Sequence, residues 1–341
     1  MRAALRRLAR SPLAEPMLSA AATMLEPAGR RGPSDVAILT YHRVDVPDAR
    51  PYLHPGLISA TPTAFEAQLA ELARRANPIG LADLRAALLG ERRLPVRPVM
   101  VTVDDAYEDF AEHVWPRLRG LGIPVTLFVP TAYPGDPARR FWWDRLSHAL
   151  RTSPRRSLEV DGVRHDLSDD RLRLVAFRHL RTVVKATAHE RAMPMVDEWC
   201  AMLGLPDAPS GVLDWTALRS LAADGVTIAP HSRTHPLLTR LDAGALPGEI
   251  GGSREDLERE LGSVPPVFAY PSGDHDDRVV AAVAGLGFEQ AFTTERGLAD
   301  LRHAEPLRLR RINIGGATSL AVLRLQLIRG LGAPLAALER D

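Results

Sequence analysis

Seven short runs rich in Val, Ile and Phe recur along the chain, and this recurrence limits the possible folds more than any other feature. They are VAILTY (36–41), PVMVTV (98–103), PVTLFVP (124–130), GVTIAP (225–230), PVFAYP (266–271), EQAFTT (289–294) and LRRINI (309–314). Between most of them lie segments with helical periodicity, at 63–76, 107–120, 214–224, 242–262 and 275–286. Near-continuous apolar runs alternating with helices predict a mainly parallel sheet wrapped by helices. A length of 341 residues fits one large α/β domain with an insertion.

Many of the runs end in a polar or ionisable cluster: Tyr41-His42, Asp104-Asp105, Thr131, His231 and Ser272-Gly273. Parallel sheets and barrels gather their sites at the carboxyl ends of strands, so these groups are expected on one rim. Residues 134–213 break the rhythm with FWWDRLSHAL, an arginine-rich stretch at 151–173 and helical segments near 169–190 and 192–203. One strand candidate, SLEV (157–160), interrupts this mostly helical insertion. The expected organisation is a basic tail or amphipathic helix over 1–33, a domain over 34–316 that contains the insertion, and a C-terminal helical segment over 317–341.

The formal net charge of +1 provides no global field for nucleic acid, and none is expected as a partner. Cys200 is the only cysteine, so any metal site must use His and carboxylate. The first 33 residues are basic and hold no uninterrupted apolar stretch, from which a cytoplasmic protein is expected. Leu5, Leu8, Leu13 and Met17 among the arginines suit a helix lying on an anionic membrane surface as a peripheral contact, or one packed on the domain. Nothing in the sequence sets the oligomeric state.

In VTVDDAYEDF (101–110), Asp104 and Asp105 close an apparently buried strand, and strand alternation would send their side chains in opposite directions. Alone, the pair could cap the following helix. In IAPHSRTHPLLT (228–239), His231 and His235 stand four apart after a strand, a spacing that lets a helical turn or tight loop aim both imidazoles at one point. Two histidines and one carboxylate form a facial set that leaves metal positions open, with a second carboxylate free to act as a base.

TVDDAYEDF, HSRTH and FAYPSG, in this order, resemble the first three motifs of the polysaccharide deacetylase (NodB-homology, carbohydrate esterase family four) family, over roughly residues 35–315 without the insertion. The resemblance implies a deformed (β/α) barrel of about seven mainly parallel strands. It implies Asp104 as catalytic base, Asp105, His231 and His235 as ligands of one divalent metal ion, commonly zinc, and a Ser272 N–H beside Pro271 as oxyanion donor. Tyr107 is placed with this substrate and oxyanion group. The last strand lacks the family's Leu-x-His histidine, but ILTYHRVD (38–45) resembles the Tyr-His motif of a rearranged subset, which makes His42 the acid. His303, in a loop, and His275, at a helix start, compete for that role and are expected to be exposed histidines instead.

Three positions depart from the family pattern. Ala106 replaces a glycine and is tolerable if the backbone there is helical; Ala269 replaces the arginine that orients the base; Ser272 replaces a tyrosine. Arg311, or Arg310, from the last strand is expected to pair with Asp104 instead. Trp142 and Trp143 offer flat faces for a sugar or for the core. The reaction implied is removal of an N-acetyl or N-formyl group from an amino sugar in a glycan or a lipid- or nucleotide-linked saccharide. Its rivals are hydrolysis of an allantoin- or imide-type C–N bond and a degenerate carbohydrate-binding protein.

Overall fold

All seven apolar runs form strands: β1 (Asp35–Tyr41), β2 (Pro98–Asp104), β3 (Val125–Val129), β4 (Thr227–Pro230), β5 (Val267–Ala269), β6 (Gln290–Arg296) and β7 (Leu309–Asn313). They pair in parallel in the order β5-β6-β7-β1-β2-β3-β4 and nearly close into a barrel. The structure, a computed structural model, describes residues 14–25 and 31–328.

Both faces of each strand are covered, which is why the runs read as continuous apolar stretches. Val36, Ile38, Met100, Phe128, Ala229, Ala269, Phe292 and Leu309 share one cluster inside the barrel. Their neighbours Ala37, Leu39, Tyr41, Val99, Val101, Val103 and Leu127 belong to the cluster under the helices. Further along the inward positions the filling turns polar. Thr40 and Thr102 bring their hydroxyls within 3.2 Å, and two residues on stand His42 and Asp104, beyond the Tyr41–Val103 pair.

The helices are α1 (Ala14–Leu25), α2 (Pro62–Arg75), α3 (Leu81–Leu88), α4 (Trp115–Gly120), α5 (Trp142–Thr152), α6 (Asp170–Ala186), α7 (His189–Leu203), α8 (Trp215–Ala223), α9 (Leu246–Leu261), α10 (Asp277–Gly285) and α11 (Leu320–Gln326). Several start where a side-chain oxygen accepts a free backbone N–H: Thr61, Asp169, Asp214, Asp276 and Ser319. Several elements differ from expectation. LADLRAAL forms α3. Residues 107–120 are not one helix but a turn, a π-type segment Phe110–Val114 and then α4, because Pro116 has no N–H and crowds the preceding turn. SLEV is half of a hairpin with Val163–Asp166, closed by Asp161 and Gly162 at φ 48° and 73°.

Of the N-terminal segment, Ala14–Leu25 forms α1. Its Leu18 and Ala22 pack on Leu325 and Ile328, and Glu15 accepts the Ala321 N–H. Met17 and Met24 face outward. Leu5, Leu8 and Leu13, and residues 329–341, lie outside the described residues. No helix among the described residues is long and apolar enough to cross a membrane.

Candidate metal centre and catalytic groups

Strand alternation does not separate the two aspartates, contrary to the expectation from the sequence. β2 ends at Asp104, and the next two residues turn left-handed, with φ 74° at Asp105 and 55° at Ala106. Aspartate tolerates that region better than most residues and alanine does not; the backbone at the family's glycine position is left-handed, so the helical backbone that would make Ala106 easy is absent. The turn is pinned to the end of the insertion by Leu213 N–H on the Ala106 carbonyl and Glu108 N–H on the Gly211 carbonyl.

His231 and His235 sit in a tight loop, not a helical turn. Ser232 and His235 have φ of 64° and 58°, each costing about 1–2 kcal/mol relative to ordinary backbone. Three polar groups hold the loop against that cost. His235 N–H donates to Ser232 Oγ at 3.0 Å, and Glu249 on α9 accepts the Arg233 and Thr234 N–H groups at 3.0 and 2.8 Å. His231 Nδ1 donates to the Ala269 carbonyl at 2.7 Å, bridging the unpaired edges of β4 and β5 and leaving Nε2 with its lone pair free.

Both imidazoles converge on Asp105. Its Oδ1 lies 3.3 Å from His235 Nε2 and 3.7 Å from His231 Nε2, yet is buried with no hydrogen-bond partner. The three donor atoms lie within 4.8 Å of one another. Two imidazole nitrogens and a carboxylate oxygen buried without a hydrogen bond form a donor set that fits a divalent cation. Burial lowers the His231 pKa to about 4 despite the pull of Asp104, which keeps the ring neutral as a ligand must be. Burial raises the Asp105 carboxyl, but His235, His42 and His231 hold it below the usual carboxylate range.

Asp104 faces a different partner. Arg311 grips it with two parallel bonds, Nη1 to Oδ1 at 2.8 Å and Nη2 to Oδ2 at 2.7 Å, and Arg311 Nε donates to the Thr293 carbonyl at 2.8 Å. The arginine is 0% and the aspartate 1% exposed. Burial opposes ionisation of Asp104, but Arg311 outweighs it and holds the carboxyl below its ordinary range, with His231 and His42 assisting. His42, half-buried at the end of β1, donates its backbone N–H to Ser59 Oγ. Its ring is close enough to lower both aspartates.

The remaining residues divide. Ser272, in the turn Pro271–Gly273, has φ 56° and its hydroxyl accepts from Lys185 Nζ at 3.4 Å. The Tyr107 hydroxyl is committed elsewhere: it donates to Asp144 at 2.7 Å and accepts from Trp143 Nε1 at 2.9 Å in a buried cluster. Trp143 stacks on Phe141 and sets its edge against His235, whereas half-buried Trp142 lines a crevice beside that histidine. His303 is exposed and contacts Asp300; His275 donates to the Gly273 carbonyl; Arg310 reaches Glu295.

Asp144 was not legible as a site residue, since an acidic residue in the first turn of FWWDRLSHAL reads as ordinary helix-start charge. Fully buried, it accepts from the His54 N–H and the Tyr107 hydroxyl and so ties the insertion to the aspartate turn. Burial raises its pKa to about 7, above the unfolded value. The folded chain therefore binds this proton more tightly, and the contribution to stability is full below about pH 4 and lost as pH rises to about 7. An Asp144→Asn variant removes that loss. Melts across pH 4–7 are expected to show its stability gaining on the parent by up to about 1.4 kcal/mol per pH unit; parallel curves would show that Asp144 is ionised throughout.

Residues 91–291 match the family model described as polysaccharide deacetylase. A poly-β-1,6-N-acetyl-D-glucosamine N-deacetylase of Escherichia coli (strain K12) is 24% identical over 258 residues, covering 74% of this chain and 33% of the relative. Chitin deacetylase 1 of Cryptococcus neoformans is 36% identical over 70 residues, 20% of this chain and 15% of the relative. The chain thus spans a third or less of the length of these curated relatives. Among solved structures, the Streptococcus pyogenes deacetylase PplD in complex with acetate aligns over 86% of this chain and 98% of its own, with a TM-score of 0.59 and 18% identity. IcaB from Ammonifex degensii aligns over 86% and 97%, with a TM-score of 0.56 and 17% identity. At such identities the likeness shows the fold alone.

Proposed function

This chain belongs to the polysaccharide deacetylase family, and from that premise we propose that it is a metal-dependent hydrolase that removes an N-acetyl group from an amino sugar. The observation that carries the reading is the buried, unpartnered Asp105 Oδ1 between two imidazoles, with an arginine-locked carboxylate on the preceding residue. Asp105, His231 and His235 would hold one divalent cation, zinc in much of the family, which supplies Lewis acidity toward the amide carbonyl and toward water.

The chain's own groups account for the protons. Asp104, oriented by Arg311, takes a proton from the attacking water as its oxygen bonds to the acyl carbon. The Ser272 N–H donates to the oxyanion that forms at the former carbonyl. His42 gives a proton to the amide nitrogen as the C–N bond breaks, so acetate and a free amine leave. No covalent intermediate is needed.

The test is acetate and formate release from N-acetylated and N-formylated amino sugars by protein dialysed against chelator and then reloaded. Release that returns with about one equivalent of divalent metal supports the reading. A protein that binds no metal and gains no activity would leave a degenerate carbohydrate-binding protein, and release of ammonia or ureido products from imides would move the substrate out of the sugar class.

A further inference from the structure

Forty-two of the 43 basic residues are arginine, and Lys185 is the single lysine. It stands at the C-terminal end of α6, in the insertion. Its Nζ reaches Ser272 Oγ at 3.4 Å, and together with Trp142, His235, Leu237 and Arg240 the two residues line one crevice beside the candidate metal centre.

The two cations that line this crevice are without an ion-pair partner: among the described residues neither Lys185 nor Arg240 has a carboxylate within 4.0 Å, whereas most arginines elsewhere are paired. Arg181, one turn earlier on α6, adds a third positive group close to Lys185. Asp274 is the acidic group that attracts Lys185, and its Oδ2 already accepts from the Thr239 N–H and hydroxyl at 2.8 and 2.7 Å. Unpaired cations lining one concave surface favour an anion there. A lysine presents a compact, rotatable point charge that suits a tetrahedral or off-axis anion, where the planar arginine fork demands bidentate geometry.

We infer that this crevice binds an anionic group carried by the substrate beside its N-acetylated sugar, with Lys185 and Arg240 as the recognising cations. The inference rests on the deacetylase reading for the sugar, and it narrows the substrate to phosphate- or carboxylate-bearing amino sugars. Half-buried Trp142 supplies the apolar wall of the same crevice.

A single lysine makes a direct test available that does not depend on turnover. The metal-loaded protein is treated with an N-hydroxysuccinimide ester, and acylation at Lys185 is followed by peptide mass spectrometry in the presence of N-acetylglucosamine 1-phosphate, N-acetylmuramic acid, uncharged N-acetylglucosamine or inorganic phosphate. At least one charged sugar is expected to protect Lys185 at a concentration at least about tenfold below that of the uncharged sugar. Which of the two protects assigns phosphate or carboxylate. Equal protection by charged and uncharged sugars, protection by none, or protection by inorganic phosphate as good as by the charged sugars would overturn the inference. On charged substrates that are turned over, Lys185→Met is expected to lower kcat/KM through KM, by at least about tenfold more than on uncharged ones, with Lys185→Arg retaining most of it. A loss of kcat equal on both substrate types would overturn it too. Absence of acetate release from every substrate would sink the deacetylase reading while leaving the labelling result to decide the anion site.

Discussion

Asp104→Asn is expected to lower kcat by about 10²- to 10⁴-fold, the range for loss of a general base. Asparagine keeps the shape but cannot take a proton from water. The substitution has a second consequence, because Arg311 is fully buried and its charge is matched by Asp104 alone among its side-chain partners. Stripping one partner from a buried pair costs about 3–5 kcal/mol, so a loss of activity in the single variant could be a loss of fold. The double variant Asp104→Asn/Arg311→Met separates the two: an apolar side chain of similar length removes the stranded charge. It is expected to recover melting temperature and no turnover. Turnover that returned with stability would remove Asp104 from the chemistry.

Asp105→Asn is expected to lose most of the stabilisation that metal gives the parent. Asparagine accepts the left-handed backbone at this position about as well as aspartate. In metal-free protein the variant gives up the attraction of His235, His42 and His231 that holds the carboxyl below its usual range, so above that range it melts lower than the parent. With zinc at 100 times the parent's Kd, the parent gains about 2.7 kcal/mol by mass action and the variant falls short of that. Turnover falls with metal content. A variant that binds zinc as the parent does, by calorimetry and by metal analysis, would show that Asp105 is no ligand.

Much of the scaffold was legible because it rests on local, repetitive physics. Every barrel strand is an apolar run, and helices such as α2, α8 and α10 follow their periodicity and caps. Where punctuation replaced periodicity, legibility fell: Asp161-Gly162 closes a hairpin of which only the first strand was a candidate, and Pro116 splits a segment read as one helix. The candidate ligands stood out for another reason. Asp105, His231 and His235 are few in kind and stand just past strand ends, and in a parallel barrel those ends meet.

The sequence by itself determined the barrel, the rim and the identity of the groups on it, because side-chain period and residue type are carried by neighbours along the chain. Only the tertiary structure decided how those groups are aimed. The left-handed turns at Asp105, Ala106, Ser232 and His235 have no glycine to announce them; they persist because Glu249 and the insertion hold them from outside. The pairing of Asp104 with Arg311 rather than Arg310 and the junction of Asp144 with Tyr107 join residues 207 and 37 positions apart. Lys185 reaches Ser272 across 87. Such contacts are set by which elements the barrel brings side by side, and no local pattern encodes that distance.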